Sequence, residues 1–221
     1  MYDIIAKNLY SDEYTVSINK HYGDIEGLPI IIDGTSKIMI SAPHCVKHKR
    51  EDIVKSADIY TYAIGIYLNK ALDCPFIYQS GYDGTDANYN SVEISEYKKK
   101  LSNYILENDI KLLIDLHGMS DKHNLLIDIG TYNGQTLCNK DLEFNIIKHN
   151  LNMQFKGSVG VNTIFCCSNE NNISRYISKT CEVPCIQLEM ALDIRVPDNS
   201  ENLLLALVNS ISQIMYIYKN N

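Results

Sequence analysis

No run of about 18 apolar residues occurs in the 221-residue chain, so a transmembrane helix is not expected. The opening, MYDIIAKNLYSDEY, has no basic segment followed by an apolar one and does not read as a secretory signal. Basic residues are also short: 20 Lys and Arg stand against 27 Asp and Glu, a formal net charge of −7. That leaves no surplus to neutralise phosphates, which argues against nucleic acid as a partner. The basic cluster Lys47-His48-Lys49-Arg50 is followed at once by Glu51 and Asp52 and reads as a solvated turn. A C-x2-C pair is missing as well. Cys166-Cys167 and Cys181-x3-Cys185 do not have zinc-knuckle spacing, and the seven cysteines are an odd number. Without an export signal they read as reduced thiols used as small buried hydrophobes, which points to a cytoplasmic protein. No repeat, low-complexity tract or linker divides the chain, so residues 1–221 read as one domain.

What is present is enough for a core: 45% of the residues are hydrophobic. LPIIIDGTSKIMISAP reads as two strands around Asp33-Gly34, a hairpin signal. Residues 56–72 have apolar residues at three and four, with Ser56 as a plausible N-cap. FIYQS is a short strand. Residues 91–108 form an amphipathic helix on Ile94, Tyr97, Leu101 and Ile105. KLLIDLH and NLLIDIGT are strands, NKDLEFNIIKHNLN a helix, VGVNTIF a strand, ISRYISKT a short helix and VPCIQLEM a strand. The stretch SENLLLALVNSISQIMYIYK closes the chain as a long helix. Strands alternating with helices imply an α/β domain with a mixed, mainly parallel sheet. Ligands of such sheets bind in the crevice at the carboxyl ends of the strands.

Three predicted strand ends supply polar groups to that crevice. His44 follows IMISA, His117 ends KLLIDLH, and Glu189 lies near the end of VPCIQLEM. A catalytic zinc site takes three protein ligands, commonly imidazoles and a carboxylate, and keeps a further position open. His44 and His117 are two of them. Asp58 is the best third candidate, at the start of the helix after the His44 loop, with Glu51 and Asp52 as alternatives from the loop itself. Glu189, a carboxylate in an apolar strand, suits a general acid/base, because desolvation raises its pKa. Asp115 shares a strand face with His117 and is placed to orient that imidazole. His48 and His123 read as exposed, and His21 and His149 have no company. Arginine forms a two-pronged pair with a carboxylate. Arg50 and Arg175 are therefore candidates to hold a carboxylated substrate, while Arg195 reads as a structural ion pair.

SAPHCVKHKREDIVKSADIYTYAIG, LLIDLHGMS and VPCIQLEMALDIR, in that order, together resemble the N-formylglutamate amidohydrolase family, over roughly residues 38–195. DGTDANYN (83–90) resembles a family loop with an Asp-x-Asn step, which assigns Asn88 to the substrate site. The family is similar in architecture to zinc exopeptidases and muramoyl-alanine amidases, which implies a three-layer α/β/α arrangement. Carried over by position, the resemblance makes His44, Asp58 and His117 ligands of one zinc ion and Glu189 the acid/base. The sequence departs from the pattern in two places: Asp58 is a shorter arm than the usual Glu, and Cys45 stands where Gly or Ala is expected, which narrows the pocket. The implied function is zinc-dependent hydrolysis of a small N-acyl amino acid. A peptidoglycan or peptide amidase, and a metal- or ligand-binding protein without turnover, are the alternatives. Nitrogen and oxygen ligands also accept Mn, Fe or Co.

Overall fold

The computed structural model describes residues 26–220. The reading of the first fourteen residues and of His21 therefore falls outside the described residues. In chain order the elements are β1 (Pro29–Ile32), β2 (Ile38–Ala42), β3 (His48–Arg50), β4 (Ile53–Lys55), α1 (Thr61–Leu72), β5 (Phe76–Gln79), α2 (Glu96–Glu107), β6 (Leu112–Met119), β7 (Ile127–Gly130), a 3-10 turn (Gln135–Leu137), α3 (Asp141–Gln154), β8 (Val159–Val161), α4 (Ile173–Cys181), β9 (Cys185–Ala191) and α5 (Glu201–Asn220). Among the described residues, seven strands form one sheet in the order β1-β5-β2-β6-β9-β7-β8. Strands β5, β2, β6 and β9 run parallel, while β1 and β7 pair antiparallel to their neighbours β5 and β9. No helix of the described residues is long and apolar enough to cross a membrane.

Strand parity sorts the apolar residues into two cores. Ile38, Ile40, Ile114, Leu116, Ile186 and Leu188 pack with residues of α1, α3 and α5. Met39, Leu113 and Cys185 point the other way, onto Tyr97, Leu101 and Ile105 of α2 and Ile173 and Ile177 of α4. This is the three-layer arrangement that the resemblance implied. The central strands are covered on both faces, which is why they read as continuous apolar runs rather than alternating ones. On β6, Asp115 and His117 continue the side of Leu113, so the polar end of the strand faces the layer of α2 and α4.

Four local expectations are corrected. Strands β1 and β2 are not a hairpin, because β5 lies between them. Gly34 has no positive φ, as a type I′ turn needs. It is there because a Cβ would lie 2.3 Å from the Asp73 carbonyl oxygen. Helix α1 begins at Thr61, five residues later than Ser56, and Tyr60 in a left-handed conformation takes the cap position. The chain is held off the helix there because the Asp58 N–H donates to the His44 carbonyl at 2.7 Å. Helix α2 begins after Ser95, whose hydroxyl accepts from the Lys98 N–H, so Ile94 precedes it and is exposed while Tyr97, Leu101 and Ile105 are buried. Finally, the basic cluster is strand β3, paired antiparallel with β4 around a Glu51-Asp52 turn.

Candidate metal centre and cleft

Strands β2, β6 and β9 are neighbours, so their carboxyl ends open on one cleft. Their register aligns Ser41 with Asp115 and Asp115 with Gln187, then His117 with Glu189. His44 follows just past the end of β2. The loop that returns from His44 is pinned to it by the Asp58 N–H, and Thr61 pins the other side by donating through its N–H (3.2 Å) and hydroxyl (2.7 Å) to the Asp58 carbonyl. The Asp58 carboxylate, which also accepts from the Gly118 N–H, then sits between the two imidazoles. One carboxylate oxygen is 3.7 Å from His44 Nδ1 and 3.6 Å from His117 Nδ1.

The far side of each ring explains this orientation. His44 Nε2 lies 2.8 Å from Asp86 Oδ1, and His117 Nε2 lies 2.8 Å from Asp115 Oδ2. A carboxylate accepts only, so each Nε2 is assigned the proton and each Nδ1 is left with a lone pair. The Asn88 amide nitrogen also approaches His117 Nε2, at 3.2 Å, while its oxygen accepts from the Ile173 N–H. The closer, charged Asp115 decides the tautomer. Two lone pairs and one carboxylate oxygen thus face a common point, all within 4.8 Å of one another. Their separations are too long for hydrogen bonds. A tetrahedral zinc with bonds of about 2.0–2.1 Å sets its ligand atoms roughly 3.3–3.4 Å apart, close to the two oxygen–nitrogen separations found. Carboxylate–imidazole pairs behind each nitrogen are the usual outer support of such ligands. The residues fit a divalent cation.

His44, His48 and Asp86 form a second group with suitable spacing, but its chemistry does not fit. Arg50 Nε already occupies Asp86 Oδ2 at 2.8 Å, and His44 occupies Oδ1. A guanidinium on the ligand oxygen repels a second cation. These two donors overcome the effect of burial and hold the Asp86 carboxyl far below the usual range. His48 is buried rather than exposed, and its ring stacks on His44 with 3.8 Å between centroids. Burial, with His44 beside it, pushes its pKa down to about 3, so it is neutral. Burial works in the same direction on His117, but Asp115, Asp58 and Glu189 outweigh it and raise the pKa well above that of a free imidazole. Asp58 is drawn down, against its own burial, by His117 and His44.

Glu189 lies on β9 beside His117, 7% exposed and lining the cleft. Burial, with Asp58 and Asp115 nearby, pushes its pKa up to about 8, against the opposing pull of His117 and Arg195. Its Oε1 accepts from Gln187 Nε2 at 2.8 Å, and Gln187 Oε1 accepts from Asn172 Nδ2 at 2.7 Å. The cleft has a volume of about 530 Å³. The β3–β4 hairpin forms one wall and turns His48, Arg50 and Lys55 inward. Residues 164–169 form the opposite wall. That wall hangs on Asp128, buried on β7, whose carboxylate accepts from the N–H groups of Thr163, Ile164 and Phe165.

The structure therefore brings together His44, Asp58, His117, Glu189, Asp115, Asn88 and Arg50. Asp58 reaches the centre from the loop before α1 rather than from the helix. Glu51 and Asp52 stay outside, both exposed, the first accepting from the Tyr89 hydroxyl and the second paired with Lys49. Arg175 does not line the cleft. It donates to the Ser168 carbonyl at 2.5 Å and lies 4.0 Å over the Tyr132 ring, bracing the end of the 164–169 wall. Arg195 is buried and donates to the Met190 and Ile59 carbonyls. Its guanidinium fills the space where a Cβ at Gly118 would stand, 2.5 Å away. That is why a glycine follows His117. Cys45 does not narrow the cleft, since its thiol is turned onto the Gln79 carbonyl. All seven cysteines are free, and none belongs to a metal group among the described residues. Asp86, Gln187 and Asn172 were not singled out from the sequence. The Asp-x-Asn step at 86–88 and the Gln-x-Glu step at 187–189 were the available signals.

No family model and no curated protein matches the sequence. Solved structures do. A bacteriophage poly-gamma-glutamate hydrolase superposes with a TM-score of 0.57 at 14% identity, over 90% of this chain and 93% of its own. N-formylglutamate amidohydrolase from Ralstonia eutropha JMP134 gives 0.58 at 11% identity, over 88% and 100%. A metallo-carboxypeptidase from Burkholderia cenocepacia gives 0.54 at 14%, over 86% and 62%. The chain has the zinc exopeptidase-like fold that these three proteins share.

Proposed function

We propose that the protein is a metal-dependent hydrolase of amide bonds, with zinc as the ion and a small N-acyl amino acid, of the N-formylglutamate kind, as substrate. The observation that supports this most is the pair of Nδ1 lone pairs and the Asp58 oxygen, aimed at one point beside a protonatable Glu189. His44, Asp58 and His117 would hold the ion, which supplies Lewis-acid activation of water and of the amide carbonyl. Asp86 and Asp115 keep the two imidazoles in the ligating tautomer. Glu189 takes a proton from the attacking water and delivers it to the leaving nitrogen, and its burial favours the protonated form that the delivery needs. Gln187 fixes the carboxylate for that transfer. Arg50 keeps its Nε on Asp86 and, with Lys55, lines the cleft where the two cations would meet a substrate carboxylate, while Asn88 lines it beside His117.

A second reading, hydrolysis of a longer amide chain or peptide, is favoured by one observation: a cleft of about 530 Å³ is of the size that takes drug-sized ligands, larger than one N-acyl amino acid needs. Elemental analysis and a substrate panel test both readings. About one zinc per chain is expected, with cleavage of N-acyl amino acids or, on the second reading, of acidic peptides. Glu189→Gln should keep the metal and lose hydrolysis about 10²–10⁴-fold. Retained hydrolysis in that variant refutes the mechanism. A wild type that binds zinc and cleaves nothing in the panel refutes the enzyme reading in favour of a binding protein.

A further inference from the structure

Lys98 is a fully buried cation outside the cleft. It sits in the first turn of α2, where the positive end of the helix disfavours it. Its relative exposure is 0%, and Asp86 and Glu93 favour its charge only through space, without an ion pair to it among the described residues. Burying an ammonium without an acid partner costs several kcal/mol unless its donors are satisfied. Two donors are satisfied by main-chain carbonyls, Asn90 at 2.7 Å and Asn171, and the Tyr176 ring lies 5.7 Å from the ammonium.

Those two carbonyls belong to different loops, and each loop ends in the candidate site. Asn90 closes the turn of Asp86, since its side-chain oxygen accepts from the Asp86 N–H at 2.7 Å and its own N–H donates to the Asp86 carbonyl at 2.8 Å. Asp86 in turn orients His44. Asn171 precedes Asn172, which holds Gln187 and through it Glu189. From these contacts we infer that Lys98 is a positioning residue: its ammonium ties the loop that aims His44 to the loop that aims Glu189, and so sets the distance between metal ligand and acid/base. The consequence for metal and catalysis rests on the function proposed above, but the tie itself does not.

Lys98→Met removes the ammonium at nearly constant volume. Hydrogen exchange on the metal-free protein should show protection falling together at the amides of Asn88–Asn90 and of Asn172–Ser174, with the α3 and α5 helices unchanged. Zinc affinity, measured by chelator competition well below the melting temperature, should weaken about ten- to a hundredfold, the usual effect of losing a ligand's support. kcat should fall more than KM rises, and Lys98→Arg, which keeps charge and donors, should recover most of both. If Lys98→Met does not fold, Lys98→Gln replaces it. A folded variant with wild-type exchange in both loops overturns the tie. Loosened loops with wild-type zinc affinity and kcat overturn the positioning role and leave a structural one. A wild type that binds no zinc overturns the proposed function instead, while the exchange result still decides the tie.

Discussion

Replacing Asp86 by Asn tests whether the tautomer of His44 is set from behind. Asp86 is fully buried and accepts on both oxygens, from His44 Nε2 at 2.8 Å and from Arg50 Nε at 2.8 Å, with the Asn88 N–H as a third donor at 2.8 Å. Asparagine has nearly the same shape but one acceptor oxygen. Its NH2 must face either His44 Nε2 or Arg50 Nε, donor against donor. If it faces His44, the imidazole proton moves to Nδ1 and the ligand lone pair is lost. If it faces Arg50, a buried charge-assisted hydrogen bond is lost. Loss of such support weakens metal binding about 10–100-fold, or about 1.4–2.8 kcal/mol. The broken charged hydrogen bond should lower the stability of the metal-free protein by about 1.5–3 kcal/mol. Chelator competition measures the first quantity and urea denaturation the second. One of the two donors must lose its acceptor, so a folded Asp86→Asn protein that keeps both the zinc affinity (within twofold) and the urea stability of wild type would refute the assignment of Asp86 as the acceptor that fixes His44.

Other consequences follow from the same geometry. Gly118→Ala sets a Cβ 2.5 Å from the Arg195 guanidinium, so Arg195 must leave the Ile59 carbonyl next to Asp58. Overpacking of this kind costs about 1–3 kcal/mol, and a thermal melt together with zinc titration should show stability and affinity falling together. Zinc affinity should rise with pH, because the raised pKa of His117 means that its proton must leave before its lone pair can bind. Calorimetry in buffers of different ionisation enthalpy should count the released proton, and zero release refutes the reading. Glu189 in the metal-free protein has its pKa raised from 4.5 to about 8. Its contribution to stability is therefore intact below about pH 4.5 and is lost as the pH rises toward 8, because the fold disfavours the ionised form. Glu189→Gln should gain stability relative to wild type over that window by a few kcal/mol, and a pH-independent difference in urea midpoints would contradict the burial argument.

Much of this arrangement could be read from the residue order, and the failures have physical causes. The strands β6 and β9 were legible because they are apolar on both faces and end in polar residues. Asp115 and His117 were legible as a pair because a period of two places them on one side. Asp86 was not, because its partner His44 is 42 residues away and no local pattern joins a loop to a strand end. His48 read as exposed because its neighbours Lys47 and Lys49 are charged. In β3 the side chains alternate, so His48 and Arg50 turn inward while Lys49 turns out to Asp52. The false hairpin at Asp33-Gly34 shows the limit of turn signals. The dipeptide is compatible with a two-residue turn, yet pairing is decided by the non-local insertion of β5.

The two halves of the candidate centre are built with unequal security. His117 and Asp115 lie on one central strand, two residues apart, and strand geometry alone fixes their relation. His44 depends on Asp86, and Asp86 depends on a turn held by Asn90, Arg50 and the nearby hairpin. The candidate ligand Asp58 sits between these halves, tied to the first through the Gly118 N–H and to the second through the His44 carbonyl. A perturbation of the loops should therefore cost the His44 contact first and leave a weaker site on His117 and Asp58. Partial loss of affinity, rather than complete loss, is the expected result of loop substitutions, whereas His117→Ala removes the strand-built half and should abolish binding. Equal losses from both classes of variant, seen in one chelator competition series, would mean that the site forms as a single unit and that strand geometry gives His117 no advantage.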